Sequence, residues 1–319
     1  MNWPRSFRLR CLLIAALSSI SIQGSLHAQE KESVDVIKVT TELVVFDAQV
    51  IDKKSKRTIG DLTREDFEVY DKGVKQQVSY FSRDELPLSI LLLLDVSASV
   101  RPILHQIRDG ALNALEHLKP EDHVAVMAFG SKADLVQDFT RDRSLVARKI
   151  EEATNTEYLG SGTFLGPALD EAAMHIDDAP SAGSRRVIII ITDNIASSFG
   201  MEKRINAKLL ASGTAVYGLI VRGAIGKFFN VMFLGQFKGV DAYVHETGGE
   251  ILGANKNEVD AKLAVMIDRL RARYAIGFRP ADQTSTDVFH PVEIKLSPLR
   301  KRKEKPVVLT KRGYYLRRR

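Results

Sequence analysis

Residues 88–94 read Leu-Ser-Ile-Leu-Leu-Leu-Leu and run straight into Asp95. The run is far shorter than the ~20 residues a helix needs to cross a bilayer. A strand with one wet face alternates apolar and polar residues, whereas a strand buried on both faces reads as a continuous apolar run. Two further runs of the same kind lie at 187–191 and 215–221. Shorter strands are expected at 124–129, 135–139 and 274–278. Between them apolar residues recur at helical spacing. Ile103, Ile107, Ala111 and Leu115 form one stripe, and Leu165, Leu169, Ala172 and Ile176 form another. Helices are also expected at 145–153, at 205–211 with Gly213 as its C-cap, and at 259–270. Buried strands alternating with amphipathic helices predict an α/β fold with a Rossmann-like, doubly wound, mainly parallel sheet over residues 86–280.

The flanks have a different rhythm. Residues 35–84 alternate in the β manner, and Asp71-Lys72-Gly73 sits between two alternating stretches as a hairpin turn. This predicts a small N-terminal β module ending at Leu86-Pro87. Residues 288–316 return to β character. The stretches 290–296 and 306–310, separated by the basic residues Arg300, Lys301, Arg302 and Lys303, are expected to form a C-terminal β-hairpin. Residues 223–238, rich in Gly and Phe, read as an inserted loop.

The first 28 residues have the pattern of a secretory signal. Arg5, Arg8 and Arg10 precede a short apolar stretch over 11–22, and Gly24, Ser25 and Ala28 supply a small-residue exit. Cleavage near Ala28 predicts export to the periplasm or the medium; an uncleaved N-terminal anchor is the alternative. Cleavage would remove three arginines and no acid, so much of the formal charge of +6 would leave with the signal. The remainder is only mildly basic, and no nucleic-acid partner is expected. The only cysteine, Cys11, would leave as well, which excludes thiol nucleophiles and cysteine-based metal sites from the exported chain.

In an open α/β sheet, ligands bind beyond the carboxyl ends of the strands, where the strand order reverses. Asp95-Val96-Ser97-Ala98-Ser99 follows the first buried run, and Thr192-Asp193 follows the second. Gly160-Ser161-Gly162-Thr163 lies between them, just before a helix. If all three segments end on one rim, Asp95, Asp193, Ser97, Ser99 and Thr163 bring two carboxylates and three hydroxyls together, with no histidine or thiol. An oxygen-only set suits a hard divalent cation, Mg²⁺ first, with Mn²⁺ or Ca²⁺ as alternatives. With few direct negative charges the ion would stay electrophilic, and an acidic residue of a protein partner could complete its shell.

Asp95-x-Ser97-x-Ser99, Thr163 in Gly-Thr-x-Leu and Asp193 in Ile-Thr-Asp resemble the metal-ion-dependent adhesion site of von Willebrand factor type A domains. The resemblance implies that Ser97, Ser99 and Thr163 bind the metal by hydroxyl, and that Asp95 and Asp193 act mainly through water. One position departs: the usual glycine after the last aspartate is Asn194. The wider layout resembles an exported, acidobacterial-type subgroup. The shared features are the Leu-Thr-x-x-Asp-Phe-x-Val-Tyr-Asp-x-Gly pattern from Leu62 to Gly73, residues 246–250, residues 273–278 and Lys311-Arg312-Gly313-Tyr314.

Blander readings compete. Asp95 and the serines alone would serve as a helix N-cap. A metal-independent scaffold that has kept the motif is one alternative function. A metal-assisted hydrolase is another, but there is no Gly-x-Ser-x-Gly elbow and no histidine has an evident place beside Ser97. The chain is therefore expected to bind rather than catalyse. The basic stretches 300–303 and 317–319 are read as a solvated turn and a tail; an anionic membrane surface is the other partner they leave open.

Overall fold

A computed structural model describes residues 43–155, 157–180, 183–194, 200–221, 239–281, 285, 288–298 and 303–316. The expected signal, the loop at 223–238 and the basic stretches 300–302 and 317–319 lie outside these residues.

The centre is a six-stranded sheet of β5 (Leu88–Asp95), β6 (His123–Phe129), β7 (Ala133–Thr140), β8 (Arg185–Thr192), β9 (Ala215–Val221) and β10 (Ile251–Ala254), in the order β10-β9-β8-β5-β6-β7. All neighbours are parallel except β6 and β7, whose short connection permits only an antiparallel edge. Every residue of β5 is buried, as its continuous apolar run requires. Ile90, Leu92 and Leu94 face one way, into a core with α1 (Leu104–Ala114), α2 (Arg143–Thr154) and α6 (Val259–Arg271). Leu91 and Leu93 face the other way, toward α3 (Leu165–His175), α4 (Glu202–Ser212) and α5 (Asp241–Thr247). Gly213 ends α4 in the left-handed conformation at φ 71°, as a C-cap should.

Chain order and sheet order differ at one place. From β5 the chain proceeds to β6 on one side, and after β7 it returns to β8 on the other side of β5. The reversal therefore falls between β5 and β8, at the carboxyl ends carrying Asp95 and Thr192.

The flanking segments form two antiparallel sheets of mixed origin. One runs β13-β1-β11-β4, with β1 (Val44–Asp52), β4 (Tyr80–Ser82), β11 (Tyr274–Phe278) and β13 (Pro306–Leu309). The other runs β14-β12-β2-β3, with β2 (Phe67–Asp71), β3 (Val74–Gln76), β12 (Phe289–Leu296) and β14 (Gly313–Tyr315). The hairpin expected at Asp71-Lys72-Gly73 is present, and both turn residues have positive φ. The hairpin expected between 290–296 and 306–310 is replaced by other pairings: β12 pairs with β2 and β14, and β13 pairs with β1. The physical reason is that alternation tells a strand which face to bury but not which strand to pair with. Phe46, Val50, Phe67, Tyr274, Ile294 and Tyr314 from both sheets share one core with Leu62 from the connection between β1 and β2.

Candidate cation site at the sheet rim

Asp95 is the last residue of β5 and is fully buried. Its carboxylate accepts hydrogen bonds from the Ser97 backbone N–H (3.0 Å) and the Thr192 hydroxyl (2.6 Å). The first bond curls the loop after β5 back on itself. The second ties β5 to β8 across the point where the strand order reverses. The Ser97 and Ser99 hydroxyls lie 3.2 Å apart, so both turn toward one place, and Ser97 is fully buried.

Backbone bonds hold the loop carrying Thr163 to this turn and to the connection between β6 and β7. Ala98 N–H donates to Ser161 O (3.1 Å), and Phe164 N–H donates to Gly130 O (3.0 Å). Ser131 braces the same loop: its hydroxyl accepts from Gly162 N–H at 2.8 Å, and its own N–H donates to Leu159 O at 2.7 Å. Thr163 is half-buried on that loop. Asp193 directly follows β8 and is 6% exposed. The five expected residues thus lie on three neighbouring loops at one end of the sheet.

The electrostatics follow from burial. Removal from water pushes the Asp95 carboxyl up to about 6, against the Ser97 and Thr192 hydrogen bonds that hold it down, and the charge of Asp193 adds to the rise. Two carboxylates in a site with little water are a poor arrangement on their own and a good one around a cation. Among the described residues there is no group of three or more His, Cys, Asp or Glu side chains that could hold a metal. A cation at this rim would therefore rely on hydroxyls as well as on the two aspartates. That donor set fits a hard, hydrated ion with oxygen ligands.

Asn194 keeps the turn that a glycine would make. Its φ is +64°, in the left-handed region that asparagine tolerates better than most residues. Its side-chain oxygen accepts from Val240 N–H (3.0 Å), and its own N–H donates to Thr192 Oγ1 (3.1 Å). The functions of Thr192 and Ser131 are not marked in the sequence. Each is a lone hydroxyl, and lone hydroxyls usually make caps or turns. The signal for Thr192 is its position beside Asp95 across the β5–β8 register, where Leu94 lies opposite Ile191.

Residues 90–196, about a third of the chain, match the family model of the von Willebrand factor type A domain. An uncharacterised protein of Borreliella burgdorferi is 24% identical over 172 residues, which span 47% of this chain and 47% of that relative. Thus the matched region is about half of the relative's length. Among solved structures, BatB from Bacteroides thetaiotaomicron covers 57% of this chain and 98% of its own, at 17% identity and TM-score 0.46. Proximal thread matrix protein 1 from the mussel byssus, with a zinc-occupied MIDAS motif, covers 58% of this chain and 48% of its own, at 14% identity and TM-score 0.45. The vWF domain of the type V pili tip protein Mfa5 from Porphyromonas gingivalis covers 58% of this chain and 95% of its own, at 12% identity and TM-score 0.41. None of these likenesses bears on what this chain binds. The family match begins in β5 and ends just past β8, so this third of the chain, which carries the candidate site, is similar to a von Willebrand factor type A domain.

Proposed function

We propose that this is an exported module for divalent-cation-dependent protein binding, in adhesion or assembly, with no catalytic role. The observation that carries the reading is the convergence of Asp95, Ser97 and Ser99 at the reversal point of the sheet, with the loops of Thr163 and Asp193 beside them. Ser97, Ser99 and Thr163 would hold Mg²⁺ by hydroxyl, and Asp95 and Asp193 would orient its waters. The ion would supply an electrophilic point for a carboxylate of the partner. Around Thr163 the loop also exposes Tyr158 (61%) before it and Phe164 (38%) directly after it, and exposed aromatics of this kind are enriched in protein interfaces.

Calorimetric titration of the intact protein with Mg²⁺ and Mn²⁺ tests this. Saturable binding is expected, with a roughly tenfold or greater loss in Ser97→Ala and Asp193→Ala, the size expected when a charge-assisted contact is lost. Absence of binding to either metal would refute the reading. Partner capture from the exported fraction should then respond to chelator in the wild type and be lost in Thr163→Ala.

One observation favours a second reading. The Thr192 hydroxyl bond to Asp95 already ties β5 to β8, and the Ser97 N–H bond closes the loop after β5, without an ion. If Asp95→Asn lowers stability while neither metal binds the wild type, the site is a structural clasp.

A further inference from the structure

We infer that the outer face of the sheet β14-β12-β2-β3, together with the groove where this sheet meets α4 and α5, binds a neutral, unbranched glycan of all-equatorial pyranose units. The groove has a volume of about 550 Å³, within the size range of small-molecule sites. Ala207 and Leu210 of α4, Ala242 of α5, Phe289 of β12 and Tyr315 of β14 give it an apolar lining with two rings.

The rings stand on the side of the sheet away from the core. Val292 and Ile294 of β12, Val69 of β2 and Tyr314 of β14 turn into the shared core. Side chains alternate across a strand, so Phe289, Pro291, Tyr70 and Tyr315 take the outer face. Phe289 and Tyr315 lie opposite each other across β12 and β14, with ring centroids 5.5 Å apart. A Cβ built on Gly313 would stand 2.5 Å from Phe289 Cζ, so this ring covers the glycine instead of standing away from the sheet. Pro291, opposite Gly313, is exposed and extends the apolar strip. Tyr70 pairs with Glu293, four residues along β12 from Phe289, which puts the polar end of the face roughly 13 Å from the rings.

The charged groups of this face balance one another. Lys75 pairs with Glu68 (2.7 Å), Lys295 with Glu293 (2.9 Å) and Arg312 with Glu246 (3.2 Å). Glu202 and Lys203 of α4 add one charge of each sign at the groove. Tyr70 donates to Glu68 at 2.9 Å, and the Lys295 ammonium lies 5.3 Å from the Tyr70 ring centroid, so the polar end is held in place by its own contacts. A face with no excess of positive charge gives the phosphates of a nucleic acid little to hold. A protein partner would seat an aromatic or arginine anchor in a closed pocket, and this groove is open.

Rings, donors and acceptors on a flat face of balanced charge suit a pyranose whose hydroxyls are all equatorial. Its hydroxyls point outward around the edge, and both of its faces are C–H. Those C–H groups carry partial positive charge and rest on the electron-rich face of an aromatic ring. The hydroxyls can then bond the ammonium and carboxylate groups alongside, which make the stronger class of hydrogen bond. Because the rings and the polar end lie apart along β12, a chain of several units uses the face more fully than one or two.

The test is calorimetric titration of the full chain with cellohexaose, cellobiose and the anionic hexagalacturonate, with and without chelator. Cellohexaose is expected to bind saturably at one site per chain, and the other two roughly tenfold or more weakly. Chelator should leave cellohexaose binding unchanged, because none of the five rim residues lines the groove. Tyr315→Ser should weaken cellohexaose roughly fivefold or more, and Tyr315→Phe should retain most of the affinity. Lys295→Met should weaken it severalfold through lost hydrogen bonds. Failure of cellohexaose to saturate the wild type overturns the proposal and leaves the face to a protein partner. It is overturned as well if hexagalacturonate binds as tightly, if chelator abolishes binding, or if Tyr315→Ser keeps full affinity. The three-ligand comparison on the wild type is decisive even if a variant does not fold.

Discussion

Asn194 illustrates how one position can satisfy two demands. The backbone after Asp193 needs a positive φ, and the start of α5 needs an acceptor for Val240 N–H. Glycine supplies the first and asparagine supplies both. Asn194→Gly should keep the turn and lose the side-chain bond, a cost of about 1 kcal/mol. Asn194→Ala loses the bond and also the short polar side chain that lets asparagine tolerate the left-handed region, where an ordinary L residue costs roughly 1–2 kcal/mol. Urea unfolding of the three proteins should therefore rank them Asn, Gly, Ala; an alanine variant as stable as the wild type would show that the turn is not under this constraint. At this scale the candidate site was legible in part. Asp95, Ser97, Ser99 and Asp193 were readable because they follow runs that the fold must bury, and Thr163 because Gly160-Ser161-Gly162-Thr163 stands just before a helix. Thr192 and Ser131, which position them, were not. A hydroxyl in a loop looks the same whether it braces a site or caps a turn.

Elements pack by shape, and shape can reverse what propensity suggests. Gly110 lies inside α1, where alanine would ordinarily stabilise a helix by up to ~1 kcal/mol. A Cβ there would come within 2.4 Å of Val259 Cγ1 and 3.1 Å of Asp260 N, at the start of α6. Gly110→Ala is thus expected to destabilise by about 1–3 kcal/mol through overpacking, measured as a drop in urea midpoint with unchanged slope. At the amino end of the same sheet Asp122 is fully buried. It accepts from Leu88 N–H (2.9 Å), Lys119 N–H (2.7 Å) and the Arg271 guanidinium. Burial pushes this carboxyl up, but the Arg271 and backbone bonds outweigh it and hold it below its ordinary value of 3.8. A depressed acid stabilises the fold above its unfolded pKa, and that contribution fades as pH falls through the lower folded value. The wild type should accordingly lose stability below about pH 4. Asp122→Asn should start about 3 kcal/mol lower at neutral pH and show a flatter acid limb. Parallel strands and helices were legible from their periodicities, because burial on both faces leaves a plain mark. The pairing of β12, β13 and β14 was not, since an alternating strand carries no label for its partner.

At the scale of the molecule, the antiparallel sheets close the chain on itself. β1 and β2 come from before the parallel sheet, β12, β13 and β14 from after it, and β11 lies between β1 and β4. The motifs that looked like detached signatures in the sequence meet in and around the core that the two antiparallel sheets share. Tyr274 donates to Ile59 O (2.8 Å) and accepts from Leu62 N–H (3.1 Å), and Tyr314 donates to Asp71 (3.1 Å). Gly248, at φ +75°, passes so close to Thr310 that a Cβ would lie 2.1 Å from its carbonyl carbon. Arg273 bonds carbonyls from three segments, those of Asp47, Gly248 and Leu309, and so stitches β1, the end of α5 and β13 together. Arg273→Met removes the donor while leaving those acceptors buried, at a cost of several kcal/mol by the usual penalty for each unsatisfied group. Excision of residues 86–280 should be worse still. It would expose both edges of β11 and the core face of Tyr274, Ile276 and Phe278, a template for aggregation. The expected outcome is that residues 41–319 unfold in one cooperative transition, seen together by tyrosine fluorescence and far-ultraviolet circular dichroism, whereas 86–280 is recovered only as aggregate. A soluble, cooperatively folding 86–280 would mean that the parallel sheet does not depend on the strands around it, and that the sharing of sheets between the two ends of the chain adds nothing to its stability.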